Sequence, residues 1–310
     1  MTRLKPLVGT LPVDRSKFTA RMRFHQGWWR SFVLNLPEGP RPNDPGQVVC
    51  NAIADRQAMP GNFLTQRVVT AVDAALAGRD TTSGGIVDER RLRCNLLSSQ
   101  PLAFNFFGHL ASNLDLATRV LVPLFGLEGA EVVAIHFEYA PGKPAGDNSA
   151  FDVAVEYKRA GRHGLVGVEC KYTDTFSPTE YRRKAYEQLY KMASSIFKEN
   201  YEALASSRYN QLFRNQLVGE GLRRRGDFHE VHVRLFCAPG DKEARETGES
   251  FSQMINASEV ASFGVSTYED FISTAQKQAL EWSDREWTML LWARYCGMSL
   301  SDRAYEEVAG

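Results

Sequence analysis

FDVAVEYKRAGRHGLVGVECKYTD, residues 151–174, decides how this chain is read. Two runs of alternating apolar and polar residues, FDVAVEYK and GLVGVECKYTD, flank a turn-like AGRHG, the pattern of a β-hairpin with one buried face. A turn centred between Gly161 and Arg162 makes facing residues sum to 323, setting Asp152 opposite Lys171, Val153 opposite Cys170 and Val155 opposite Val168. Val153, Val155, Tyr157, Val166, Val168 and Cys170 then share the apolar face, because side chains alternate along a strand. Asp152, Glu169 and Lys171 share the other face, within reach of one another.

Two carboxylates and an ammonium group on neighbouring strands suit metal-dependent phosphodiester cleavage. Mg²⁺ takes one or two carboxylates, several waters and phosphate oxygens. Asp152 and Glu169 supply the carboxylates, the backbone carbonyl of Cys170 a further oxygen, and Lys171 a cation for a water or for charge developing at phosphorus. The bland alternative is an exposed strand whose Glu-x-Lys merely suits solvent.

The surrounding elements favour the chemical reading. The pattern predicts a helix near 101–120, a strand near 131–139, the hairpin, a helix near 178–196 opened by a Ser177-Pro178-Thr179-Glu180 capping box, a helix near 208–225 and a strand over 230–238. This order resembles the core of the PD-(D/E)xK nuclease superfamily, and Asp152 with Glu169-Cys170-Lys171 resembles its signature. The strings NLLSSQPLAFNFFGHL, GDNSAFDVAVEY, VGVECKYTD, YEQLYKMAS and YNQLFRNQL are similar to a prokaryotic, nuclease-like branch of that superfamily, from about Phe18 to the last helix. The resemblance implies an α/β (α+β) restriction-endonuclease-like αβββαβ core with a mixed sheet, a DNA-directed rather than RNA-directed nuclease, and Mg²⁺ or Mn²⁺ held by Asp152, Glu169 and the Cys170 carbonyl. One departure stands out. Many members add a Glu on the first core helix, whereas Leu96–Leu116 holds none; Gln100 and Asn105 are its polar candidates, with Gln188 on a later helix. Single-ion catalysis and a weakened module that only grips nucleic acid or a protein partner, in a defence or mobile-element system, therefore both stay open, as does a purely structural or regulatory role.

The rest of the chain sets limits. Its 310 residues, 43% hydrophobic and 24% charged, suit one domain, with a helical extension over 15–95, the nuclease-like core over 96–240 and a strand with helices over 241–310. Lys and Arg number 37, as do Asp and Glu, so the chain lacks the basic surplus that phosphate binding favours. Basic runs are local: Glu89–Arg93, Arg182-Arg183-Lys184 and Arg223–Arg225, of which the second lies nearest the candidate site and could contact phosphate. Helical patterns are expected over 15–36, 47–57 and 63–77, with irregular chain between Pro37 and Gly46. Trp28 and Trp29 are expected to pack the first of these helices. Five scattered cysteines form no CxxC pair and read as buried thiols; His229 and His232 should face opposite ways on a strand. No GxxxxGK[ST], GxGxxG or GxSxG motif is present. No apolar run suits a membrane span or a signal peptide, so a cytoplasmic location is expected, with targeting supplied by a partner.

Overall fold

The computed structural model describes residues 5–14, 16–41, 44–58, 61–78, 82, 85, 87–279 and 281–309. At its centre a five-stranded mixed sheet runs in the order β3 (Ala130–Tyr139), β4 (Phe151–Arg159), β5 (Arg162–Lys171), β6 (Glu230–Cys237) and β7 (Ala261–Thr267). The first three strands form an antiparallel meander, while β5, β6 and β7 are parallel. This is the α+β, restriction-endonuclease-like arrangement expected from the hairpin and its flanking elements.

The hairpin itself differs from expectation by one step of its turn. Ala160 and Gly161 both take positive φ, 49° and 77°, and Arg159 faces Arg162, so facing residues sum to 321. Such a two-residue turn matches the right-handed twist of its strands but needs left-handed backbone at both centre positions. Centring it one residue later would have placed Arg162 there instead of leaving Gly161 at the second position. The sum changes by two, so each residue keeps its face and changes only its partner. Val153 faces Val168, and one step further sets Asp152 beside Glu169 rather than Lys171. The face is strongly specified, because a slip of either strand by one residue would carry its buried valines to the other face and bring Asp152 and Glu156, or Glu169 and Lys171, into the apolar core.

Helices cover both faces of the sheet. On the apolar hairpin face pack Ser99–Ala111, Leu114–Phe125, Tyr268–Gln278 and Trp282–Tyr295, bringing Phe106, Phe107, Phe271 and Trp287 against Val153, Val155, Tyr157, Val166, Val168 and Cys170. On the other face Lys184–Met192, Asn210–Arg224 and Lys242–Gln253 bury Leu189, Leu212, Phe213, Leu217 and Phe251 against Leu165, Val233 and Leu235. We name Ser99–Ala111 α1, Lys184–Met192 α2, Asn210–Arg224 α3, Lys242–Gln253 α4 and Trp282–Tyr295 α5.

Several local expectations are corrected. The stretch expected to be helical over 47–57 is instead a strand, β2 (Asp44–Ile53), paired with β1 (Glu38–Arg41) from within the Pro/Gly segment read as irregular. A short apolar run such as Val48–Ile53 has no decisive period, and its pairing partner is what settles it. The helix expected over 101–120 breaks at Ser112-Asn113, where the Asn113 side chain caps a second helix by accepting from the Leu116 N–H at 3.1 Å. The capping box at Ser177 does not form. Glu180 accepts from the Ser207 N–H at 3.0 Å instead, and α2 starts only at Lys184. At the N-terminal end Ser16 caps Lys17–Trp28 as expected, with Trp29 buried and Trp28 stacked between His25 and Phe32. Among the described residues no helix is long and apolar enough to cross a membrane.

Candidate active site

At one end of the sheet three acids stand on three successive strands. Phe137 faces Val153 and Tyr139 faces Phe151, which sets Glu138 opposite Asp152, while the hairpin register sets Asp152 beside Glu169. Asp152 Oδ2 accepts from the Cys170 N–H at 2.6 Å, tying its carboxylate to the backbone of β5. Burial holds the Asp152 carboxyl well above the usual aspartate range, and the negative charges of Glu169 and then Glu138 push the same way.

Glu169 and Lys171 are both buried, at 5% exposure, with Nζ 3.4 Å from Oε1. An ion pair taken out of water holds only when its remaining hydrogen-bonding groups are satisfied. Here α3 does that. Gln211 donates to Glu169 Oε1 at 2.5 Å and accepts from Lys171 Nζ at 2.7 Å, and Asn215, one turn later, donates to Glu169 Oε2 at 2.7 Å. The Tyr268 hydroxyl donates to the Lys171 carbonyl, and the Lys171 ammonium lies 4.9 Å from the Phe176 ring centre. Cys170 points to the opposite, apolar face, where burial pushes its thiol well above the ordinary range and argues against a nucleophile.

Gln100 reaches this end of the sheet through Glu138, donating from Nε2 to Oε1 at 2.8 Å. Glu138 takes a positive φ of 50°, costly for a residue with a side chain, and Gly85 packs so closely that a Cβ there would lie 2.5 Å from the Glu138 carbonyl oxygen. The other two second-tier candidates are not brought in. Asn105 is buried away from the hairpin acids, bonding to the Leu64 N–H, the Asn62 carbonyl and the Tyr295 hydroxyl. Gln188 is exposed on α2. Arg182 pairs with Glu180 and Glu202 and Arg183 lies 3.7 Å from Asp147, so these two cations are already engaged; Lys184 is exposed at the start of α2. His232 is buried against Ser262 and Glu230, whereas His229 is exposed.

Sequence reading missed Glu138, Gln211 and Asn215. The register of β3 against the hairpin would have found the first. The signal for the others was a pair of amides four residues apart on a helix whose neighbours Leu212, Phe213 and Leu217 are core residues.

A model of the PD-(D/E)XK nuclease superfamily matches residues 12–297. The chain belongs to this superfamily. Neither the curated proteins nor the solved structures give a match. Superfamily membership brings an expectation of nuclease activity and of a divalent ion. Among the described residues no group of three or more His, Cys, Asp or Glu side chains is placed to hold a metal ion. The side chains that share this end of the hairpin, the carboxylates of Asp152 and Glu169 on paired strands, are hard donors. They suit a small divalent ion that keeps most of its waters, and they do not suit a softer metal that asks for thiolate or imidazole.

Proposed function

We propose that this protein is a metal-dependent nuclease that hydrolyses phosphodiester bonds, acting on DNA in preference to RNA. The observation that carries the reading is the buried Glu169–Lys171 pair, fixed by Gln211 and Asn215 beside the Asp152 carboxylate. A surface Glu-x-Lys would need no such support. Asp152, Glu169 and the Cys170 carbonyl would hold Mg²⁺ or Mn²⁺, with Glu138 adding negative charge from the neighbouring strand. A bound ion supplies positive charge against the phosphate and lowers the pKa of its water. Lys171, its ammonium held by Glu169 and Gln211, would orient the attacking water and steady charge building on the phosphate oxygens. Glu169 is held in one orientation by two amides, so no reorganisation is needed when substrate arrives.

Linear, circular and single-stranded DNA and RNA, each incubated with Mg²⁺, with Mn²⁺ and with chelator, test the reading. Product formed with either ion and lost with chelator supports it; intact substrate in every arm overturns it. Binding without cleavage would point to the second reading, a weakened nuclease-fold module. The balance of 37 basic and 37 acidic residues and the pairing of Arg182, Arg223 and Arg225 with carboxylates favour that alternative. They also favour a protein partner for targeting, since equal numbers of basic and acidic residues leave no net positive charge to draw the chain to DNA. Both readings take the chain as one cytoplasmic domain.

Gln211 is a positioning residue in this scheme. Gln211→Ala is expected to lower kcat by roughly ten- to a hundredfold, the scale of lost support around metal-site ligands, while KM changes little. Steady-state kinetics on a fluorogenic oligonucleotide checks it; an unchanged kcat removes Gln211 from the scheme.

A further inference from the structure

The segment leaving the site is a second feature. From Tyr172 to Arg183 the chain runs without helix or strand, directly beyond Lys171, and it carries Phe176, Pro178 and Tyr181. A connection of this length without regular structure is uncommon in a folded core. Phe176 is half-buried under the Lys171 ammonium, and Tyr181, 38% exposed, lies 4.6 Å from the Arg214 guanidinium carbon. Arg214 in turn reaches back to Ser149 Oγ at 3.0 Å, on the segment that leads into Asp152. Two aromatic rings of this segment therefore each carry a cation over one face, Phe176 that of Lys171 and Tyr181 that of Arg214.

Phe176 also forms the apolar wall of an open cavity of about 610 Å³ between this segment and the start of α4. Pro178 continues the apolar wall, Arg208 and Lys242 stand on the rim, and Ser207 and Thr247 bring hydroxyls. Glu243 and Glu246 line it too, the latter 3.6 Å from Lys242, so the cavity is mixed in charge rather than a simple anion trap. Phe176, whose ring centre lies 4.9 Å from Lys171 Nζ, is part of this wall, which places the cavity beside that ammonium.

We propose that the cavity takes an unpaired nucleobase next to the scissile phosphate, so that the substrate is a single-stranded or locally splayed nucleic acid. The proposal rests on the nuclease reading for the identity of the polymer. A ring wall with hydroxyl and carboxylate acceptors suits the flat face and amino edges of a base. A paired base presents neither, because its faces are stacked and its edge is occupied. The rim cations would meet the phosphates on either side, and the acids in the wall would repel a phosphate pushed into the cavity itself. An intact duplex offers phosphates at its surface and keeps its bases inside, so it would leave Phe176 uncovered.

The test uses the full chain and oligonucleotides carrying 2-aminopurine: single-stranded DNA, single-stranded RNA and a blunt DNA duplex of one sequence. Binding is followed by fluorescence in chelator, and cleavage in Mn²⁺. Wild type is expected to bind a single strand at least tenfold more tightly than the duplex and to quench the probe. Phe176→Leu, which keeps an apolar wall without a stacking face, should lose roughly tenfold in single-strand affinity and most of the quenching, with duplex binding unchanged. Phe176→Tyr should retain both, which separates loss of stacking from loss of fold. Whichever of the DNA and RNA strands binds more tightly names the sugar. Equal affinity for strand and duplex, or Phe176→Leu binding as wild type does, overturns the proposal even if metal-dependent cleavage is robust. Phe176-dependent binding without cleavage of any substrate sustains this site and removes the nuclease reading instead.

Discussion

Asp152→Asn is expected to lower metal-dependent cleavage by on the order of a thousandfold and, in chelator, to raise the melting temperature. The first effect follows from losing a charged ligand and the field it sets around the scissile phosphate, where single groups are worth 10²–10³ in rate or more. The second follows from linkage. Burial, Glu169 and Glu138 raise the folded-state pKa of Asp152 above its ordinary value of 3.8. The folded protein then binds more protons than the unfolded chain between 3.8 and the raised value, and stability falls as pH rises through that window. Above that window wild type holds a partly buried carboxylate beside two others, a cost that the Cys170 N–H and Lys171 offset only in part. Asparagine keeps an oxygen for the Cys170 N–H and removes the charge. A gain of about 1–2 kcal/mol is the scale reached when such a functional cost is relieved. Thermal melts with chelator at pH 7.5 and pH 4 check it. The variant should melt above wild type at pH 7.5, with the gap narrowing at pH 4. A variant that is both inactive and less stable at pH 7.5 would mean that Asp152 is chiefly a structural tie to β5.

This opposition between stability and chemistry also explains what the sequence did and did not reveal. The hairpin was legible because one face is apolar from Val153 to Tyr157 and from Val166 to Cys170 while the charges fall on the other, and a face is robust to a two-residue error in register. That is why Asp152, Glu169 and Lys171 were grouped correctly although the turn lies at Ala160-Gly161. The mistaken partner mattered more than the shift suggests. Facing Lys171, Asp152 would be a compensated charge; beside Glu169 and opposite Glu138 it meets more negative charge than Lys171 and the Cys170 N–H offset. Glu138 escaped notice because the acid was sought on the helix, where Gln100 stands in its place and bonds to it from across the gap. Gln211 and Asn215 escaped because a helix read by its apolar period says nothing about which polar residues it buries. The segment Asp44–Ile53 was misread for a related reason: strand pairing with Glu38–Arg41 is a contact between runs, and neither run alone carries the decision.

A second large effect concerns acid. His25, His109 and His232 are each at most 5% exposed, and burial is the leading cause that lowers the pKa of all three, to about 4 for His25 and His232. His25 sits between the Ser301 hydroxyl and the Ala293 carbonyl, joining the N-terminal helix to the C-terminal end of the fold, and His109 stacks on Trp287 with Nε2 2.9 Å from Asp284. A histidine held neutral in the folded state binds fewer protons than its unfolded counterpart below pH 6.5. Its contribution is therefore fully present above 6.5 and is lost as pH falls towards the folded value. For His25 alone a fall from 6.5 to about 4 amounts to about 3 kcal/mol, at 1.36 kcal/mol per unit. Asp152 and Asp241, both raised by burial, work in the opposite direction over part of that range, two protons against three, so the histidines prevail. A domain stable by about 5–15 kcal/mol would then lose much of its margin by pH 4.5. Urea denaturation at pH 7.5, 6, 5 and 4.5 is expected to show the midpoint falling steadily below 6.5. In His25→Gln, which keeps hydrogen-bonding atoms but cannot charge, the slope should drop by up to one proton, about 1.4 kcal/mol per pH unit. Midpoints that stay level from pH 7.5 to 5 would mean that these rings protonate inside the fold, with Asp284 and Glu230 taking up the charge that burial opposes.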